Sequence, residues 1–222
     1  MNIEIKADDK QFKQLFDALE EIPEEAKKAC VSAINKTIAE TNTNLQKAIT
    51  TKYNIKKNEL SGNSKYKSVK SNNLIKVERA TFKDMSAAID IRGTALTLNR
   101  FRPSPDKMPT TKKGRTNVTV QVTKGRKMKI DQSKKPFVLK VYEKKKNKLT
   151  GKVTVNKENG IVGIFSRENP GRKMKMLRTL STAAMARQED VYKDVVEQQS
   201  KTLDKKIEQE IKYRLSKIDG GD

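Results

Sequence analysis

The side chains of this chain that are best suited to chemistry are its lysines and arginines, which are concentrated in one segment. Residues 107–157 hold 17 lysines and arginines against two acids, so this segment contributes +15 to the chain's net charge of +22. A field of this kind attracts polyanions or an acidic protein surface. The candidate contact residues are Lys112, Lys113, Arg115, Lys124, Arg126, Lys127, Lys129, Lys144, Lys145, Lys146 and Lys148.

This basic segment has two interpretations. Its cations follow a nucleic-acid backbone, or they dock on an acidic protein or simply face solvent. Proteins that recognise bases usually interleave aromatic side chains for stacking, but Phe137 and Tyr142 are the only aromatics between Arg102 and Gly163. Base recognition is therefore disfavoured, and a salt-sensitive contact with the DNA backbone stays open. A protein partner or solvent is the favoured interpretation.

Residues for catalysis are scarce. The chain has no histidine and one cysteine, Cys30, so it lacks the commonest general base and the commonest zinc ligand. Cys30 shares a helical stretch with Ala26, Ala29 and Ala33, which favours a small buried hydrophobe over a nucleophile. We find no clustered acids, phosphate-binding loop, dinucleotide fingerprint or nucleophile elbow. We therefore expect no enzymatic activity, no cofactor and no metal; an enzyme using carboxylates and lysines is the weakest alternative.

The membrane and the secretory route are both disfavoured. No apolar run approaches the roughly 20 residues that span a bilayer. The first ten residues contain acids and no hydrophobic segment, unlike a signal peptide. A single thiol fits synthesis in a reducing cytoplasm.

The first 60 residues predict one strand and two helices. Residues 2–6 alternate with period two, as a short strand does. Asp8 or Asp9 can cap the amphipathic helix that follows. A second helix is predicted from about Pro23 to about Thr51, and its apolar face is rich in small residues that allow close packing.

The middle of the chain predicts strands. Residues 74–77 and 88–91 fit two strands joined by a turn. Residues 117–122 alternate most clearly, a turn follows at 124–126, and Phe137, Leu139 and Val141 form another alternating segment. Residues 153–155 are predicted to pair across the basic turn at 144–148, and residues 161–165 resemble a buried strand. The glycines at 160 and 163 indicate a bulge or a close backbone approach rather than a ligand site.

The C-terminal part predicts helices. A short piece around Met176 to Arg187 precedes a long helix from about Gln188 to about Lys217. Its apolar stripe is narrow for a helix buried in a globule and suits packing along a partner. The predicted assembly residues are Val191, Val195, Leu203, Ile207, Ile211 and Leu215.

The element order predicts an α+β fold. N-terminal helices and a long C-terminal helix surround a mainly antiparallel sheet, in one domain over residues 1–222. A lysine-rich strand and loop region occupies about 107–157.

Four short segments carry a resemblance to a known family. They are Ala33-Ile-Asn-Lys-Thr37, Tyr53-Asn-Ile-Lys-Lys-Asn-Glu-Leu60, Gly163-Ile-Phe-Ser-Arg167 and Met176-Leu-Arg-Thr-Leu-Ser-Thr182. In this order, around a strand-rich basic middle, they resemble the phage minor tail protein Z family, the lambda-type tail completion proteins. This sequence has Leu180-Ser-Thr182 where the family has a Gly-Pro-Ser-like turn.

The resemblance implies a structural virion protein without catalytic residues. It would be made in the bacterial host cytoplasm and would complete the tail at the neck as a homo-oligomeric ring. Its implied partners are the tail terminator, the connector and the tail tube, with packaged DNA as a further contact for the basic segment and no membrane. A phage-tail-like bacteriocin would use the same component. The alternative function is a non-specific DNA-backbone-binding protein.

Overall fold

The chain folds into helices and antiparallel strands. Its structure, a computed structural model, describes residues 1–19, 23–60, 75–108, 110–111, 118–131, 136–146, 153–167 and 173–219. For residues 143–146, 153–161 and 218–219 it describes the backbone alone. The predicted α+β class with a long C-terminal helix is confirmed. The helices are α1 (Asp9–Ala18), α2 (Pro23–Lys52), α3 (Lys57–Leu60), α4 (Thr182–Ala186) and α5 (Glu189–Asp219).

Ten strands accompany these helices in the part of the chain that the structure describes. They are β1 (Asn2–Lys6), β2 (Ile75–Glu78), β3 (Ser86–Ile91), β4 (Ala95–Thr97), β5 (Thr119–Val120), β6 (Met128–Lys129), β7 (Phe137–Lys146), β8 (Val153–Ser166), β9 (Lys175–Met176) and β10 (Arg178–Ser181). A 3-10 turn covers Leu98–Arg100.

The chain divides into two compact units, each made of separate segments. The first unit combines Met1–Ala48, Ile75–Gly93 and Ala183–Asp222, and the second combines Ile49–Leu74 and Thr94–Thr182. One domain was predicted over residues 1–222, and the division into two units was not anticipated. One boundary lies inside the helix α2, where neither linker composition nor a helix-breaking residue marks it.

The first unit contains a three-stranded antiparallel sheet in the order β1-β3-β2. Ile3 faces Ile89 across one ladder and Val77 faces Ile89 across the other. Ile3 and Ile5 are buried while Glu4 and Lys6 are exposed, as the alternation of β1 predicts. The predicted strand pair at 74–91 is confirmed as β2 and β3.

Helices complete the first unit. Asp8 caps α1, because its carboxylate accepts the Gln11 backbone N–H at 2.8 Å and the Gln11 side chain accepts the Asp8 N–H at 3.0 Å, which is a capping box. The small face of α2 is buried as predicted: Ala29, Cys30 and Ala33 are at most 1% exposed. The helix α5 contacts α1 through Gln11 Nε2, which donates to the Asp204 carboxylate at 2.5 Å.

The predicted assembly stripe on α5 belongs largely to the core of this unit. Its residues Val191, Val195, Leu203 and Ile207 are at most 4% exposed within the chain itself. They have no surface left for a partner, so the assembly role predicted for these four residues is wrong. The prediction assumed that only one small sheet could bury the apolar stripe of α5. In the structure the helix α1 of the same unit also packs against α5. Ile211 is half-buried and Leu215 is 39% exposed.

The second unit contains the β-rich middle of the chain. The strands β7 and β8 form a long antiparallel pair with β9 on the other edge of β8. Residues 153–155 form a strand as predicted, but they pair with residues 144–146, which were predicted as part of the turn. Residues 137–141 pair with residues 161–165 instead. Two smaller sheets pair β4 with β10 and β5 with β6.

Three further predictions in this unit are corrected. Residues 118–122 bury alternate valines as expected, but only Thr119–Val120 forms a strand. In β7 the fully buried residue is Val138, while Val141 is 40% exposed. Residues 176–181 form parts of the strands β9 and β10 instead of the predicted helix, and α4 begins only at Thr182.

A candidate anion-binding site in the second unit

The second unit contains a cavity of about 970 Å³. The end of α2 and the segment after it supply one wall, through residues from Thr50 to Glu59. The segment from Asn99 to Asp106 supplies another, and Lys124 completes the lining. Three stretches far apart in the sequence therefore meet at one polar concavity.

Backbone hydrogen bonds hold two of these stretches together. The Asn54 N–H donates to the Val122 carbonyl at 2.9 Å, and the Lys124 N–H donates to the Lys52 carbonyl at 2.9 Å. A bridge between Tyr53 and Thr123 lies between these bonds. Lys124 is thereby fixed beside the C-terminal end of α2, where a cation is favourable.

Positive charge dominates the lining. Five cations (Lys56, Lys57, Arg100, Arg102 and Lys124) face two carboxylates, Glu59 and Asp106. Glu59 is already neutralised, because Arg100 Nη1 donates to its carboxylate at 2.7 Å and both side chains are at most 10% exposed. The other four cations are exposed. They make no ion pair or side-chain hydrogen bond with the residues that the structure describes. The site can therefore accept an anion without breaking an existing pair.

Two further features of the lining are unusual. Arg102 has a φ of 39°, a left-handed conformation that costs a side-chain-bearing residue energy. Asn99 is 9% exposed, and its Nδ2 donates to the Val162 carbonyl at 3.1 Å. Its Oδ1 is buried and accepts no hydrogen bond from the part of the chain described. Sparsely populated conformations and unsatisfied buried groups both recur at binding sites.

The predicted basic contact residues fall into three groups. Lys124, Arg126, Lys127 and Lys129 are exposed, in or shortly after a turn where Gly125 has a φ of 79°, and only Lys124 lines the cavity. Lys144, Lys145 and Lys146 lie on β7, in the part of that strand described by its backbone alone. Lys112, Lys113, Arg115 and Lys148 lie outside the described residues.

Sequence reasoning missed the other cavity residues. Lys56 and Lys57 lie in one of the segments that carry the family resemblance, but they were not predicted as contact residues. Arg102 lies just before Pro103 and Pro105, and nothing local distinguishes it from other surface arginines. The available signal was the run of two lysines directly after a long helix.

Two sequence expectations concern reactivity. Cys30 is 1% exposed, which confirms its predicted burial, and this burial raises the pKa of its thiol to about 11. Across the described residues, no three acidic or thiol side chains gather where they could bind a metal.

None of the described helices combines the length and apolar content needed to cross a bilayer.

No family model, curated protein or solved structure matches this chain.

Proposed function

We propose that this protein is a structural component of a bacteriophage tail or a phage-tail-like particle, where it completes the tail at the neck. It joins the tail to the terminator or connector and uses its basic middle segment to contact an acidic partner. The proposal is supported by the order of the four resemblance segments together with the structural positions that their residues occupy.

The observation that carries the proposal is where residues of these segments lie in the structure. In the first segment, the Asn35 side chain makes two hydrogen bonds with the backbone of Ala80. Its Nδ2 donates to the Ala80 carbonyl at 3.0 Å, and its Oδ1 accepts from the Ala80 N–H at 2.9 Å. In the second segment Tyr53 and Leu60 are at most 2% exposed. In the third, a side chain at Gly163 would collide with Phe165. These segments hold the fold, which suits a likeness between structural proteins.

Deletion of the gene in a host that carries the particle tests the proposal. We expect electron microscopy of induced lysates to show tails without joined heads, or incomplete tail-like particles, and a plasmid copy to restore them. Complete, infectious or bactericidal particles in the deletion strain would refute a tail-completion role.

The basic segment can be tested separately. Replacing Lys144, Lys145, Lys146 and Lys148 by glutamine should change the melting temperature little, since residues 107–157 hold only two acids with which these lysines could pair. Incorporation into particles should weaken most at low salt, because salt screens the charges that the variant removes. The control removes four exposed lysines that lie outside both the basic segment and α5, namely Lys10, Lys13, Lys27 and Lys83. Equal loss in both variants would show that total charge, and not this segment, matters.

The proposed ring contact is now restricted to the outer side of α5. Ile207 belongs to the core, so a charge there would unfold the protein rather than test assembly. Tyr213 and Leu215 are 51% and 39% exposed, and their replacement by aspartate is the better test. Normal entry of this variant into tails would exclude the last turns of α5 from the ring contact.

A non-specific DNA-backbone-binding protein is the second candidate. The exposed cations at Lys124, Arg126, Lys127 and Lys129 favour it. It predicts binding to any duplex, with an affinity that falls steeply with salt, by a log–log slope of about −0.9 per phosphate contacted. Such binding by the purified protein, together with intact particles in the deletion strain, would favour this candidate over the first.

A further inference from the structure

We infer that the cavity of the second unit binds an acidic peptide segment of a partner protein through two or more carboxylates. The inference deepens the proposed function and rests on it for the partner, because it names what a neighbouring protein must present. The site itself follows from the geometry of the cavity.

Charge sets the class of ligand. Lys56, Lys57, Arg102 and Lys124 stand around one concavity without ion pairs to the described residues. Four like charges at one site repel each other, and an anion with several charges relieves that repulsion. A single small anion could reach only some of them, whereas a peptide with spaced carboxylates fits a volume of about 970 Å³. This is near the upper end of the roughly 300–1,000 Å³ found for ligand pockets.

The other lining groups favour peptide over nucleic acid. Tyr53 is the one aromatic among the residues that line the cavity, and at 2% exposure it has no face on which a base could stack.

The backbone of Arg102 points to a role in binding rather than in folding. A left-handed φ of 39° is easily adopted by glycine and is costly for arginine. The arginine makes no ion pair or hydrogen bond with the described residues that would repay this cost. Strain of this kind persists where a side chain must be held ready for a ligand.

The test measures binding of a fluorescein-labelled hexaglutamate peptide to the purified full chain by anisotropy, at about 150 mM salt, where the screening length is about 8 Å. Lys124→Gln and Lys56→Gln should each weaken binding by about two- to fivefold, the range for one exposed ion pair. Lys173→Gln is the matched control. Lys173 is an exposed lysine of the same unit that lies outside both the cavity lining and the basic segment, so its replacement should leave affinity nearly unchanged.

Arg102→Gly adds a second, independent readout. Because glycine accepts the left-handed backbone, the melting temperature should equal or exceed that of the wild type while hexaglutamate binding weakens. A fall in melting temperature with unchanged binding would show that Arg102 serves the fold and would overturn its assigned role.

Two results would overturn the inference as a whole. One is equal weakening by Lys173→Gln and Lys124→Gln, which would indicate general surface charge. The other is displacement of the peptide by equimolar thymidine 20-mer, which would indicate a nucleic-acid site. Cavity-dependent peptide binding by a protein that proves dispensable for particles would uphold the site and refute the proposed function. Particles that need the protein, together with no peptide binding, would refute the site and uphold the proposed function.

Discussion

Replacing Gly163 by alanine should destabilise the second unit through one close contact. A Cβ at this position would lie 2.7 Å from Phe165 Cε2 and 3.0 Å from Met176 Cε. Carbon atoms normally stay about 3.5–4.0 Å apart, so the phenylalanine ring must retreat by about 0.8 Å. Phe165 is 6% exposed and stacks on Phe137 with a centroid separation of 6.2 Å. The ring therefore has little room to move.

The expected cost is that of overpacking a core, about 1–3 kcal/mol. For a chain of this length, each kcal/mol lowers the melting temperature by about 2–4 °C. Scanning calorimetry should therefore show a fall of roughly 2–12 °C for Gly163→Ala. Gly93→Ala is the control, because a Cβ there meets nothing within 4 Å.

A double-mutant cycle identifies the contact responsible. Phe165→Leu removes the ring atoms that Cβ would meet, so Gly163→Ala should cost clearly less in that background. A melting temperature within 1 °C of the wild type for Gly163→Ala would refute the reasoning. An equal cost in both backgrounds would assign the effect to the glycine backbone instead of the ring.

Three further predictions concern the first unit. Burial raises the pKa of the Cys30 thiol from an ordinary 9.0 to about 11. The stability contributed by the neutral thiol is therefore complete below pH 9 and is lost as pH rises through 11. Denaturant titrations should show a larger loss over this range in the wild type than in Cys30→Ala, because other side chains lose protons in both. Glu210 is 2% exposed; it accepts a hydrogen bond from the Ser32 hydroxyl and forms ion pairs with Lys36 and Arg214. Glu210→Ala should lower the free energy of unfolding by about 1–3 kcal/mol, and Glu208→Ala, on the exposed side of the same helix, by less than about 0.5. Asn35→Ala loses both hydrogen bonds to Ala80 and should cost a similar 1–3 kcal/mol in the same titration; an unchanged midpoint would show that water replaces them.

Local periodicity predicted the elements whose burial pattern is set by their own sequence. The alternation of Ile3 and Ile5 gave β1, and the small residues of α2 marked its buried face. Residues 176–181 were misjudged because Met176, Leu177 and Leu180 also fit a helical spacing. Their strands depend on β4 and β8 as partners, and in the case of β4 the partner lies about 80 residues earlier. Pairing between distant segments leaves no local periodic signal.

The candidate site was harder to predict than the fold. The charge of residues 107–157 indicated a cationic surface, and Lys124 came from that argument. Lys56 joins it because hydrogen bonds from Asn54 and Lys124 bring the end of α2 against the turn. Arg102 joins it because the Gln121 N–H donates to the Phe101 carbonyl and Ser104 exchanges backbone hydrogen bonds with Thr119. The apolar stripe of α5 was assigned to a partner because its narrowness was visible in the sequence and its cover within the first unit was not.

The composition of the first unit from distant segments has a consequence for synthesis on the ribosome. Its contacts join residues almost 200 positions apart, such as the Gln199 side chain and the Glu4 carbonyl. The small apolar face of α2 is made early, and α5 is the last element to emerge. At about 5–20 residues per second, the nascent helix waits roughly 10–30 s for its cover. During that interval its exposed alanines and isoleucines are a surface for chaperones, and slower translation should increase aggregation of this protein.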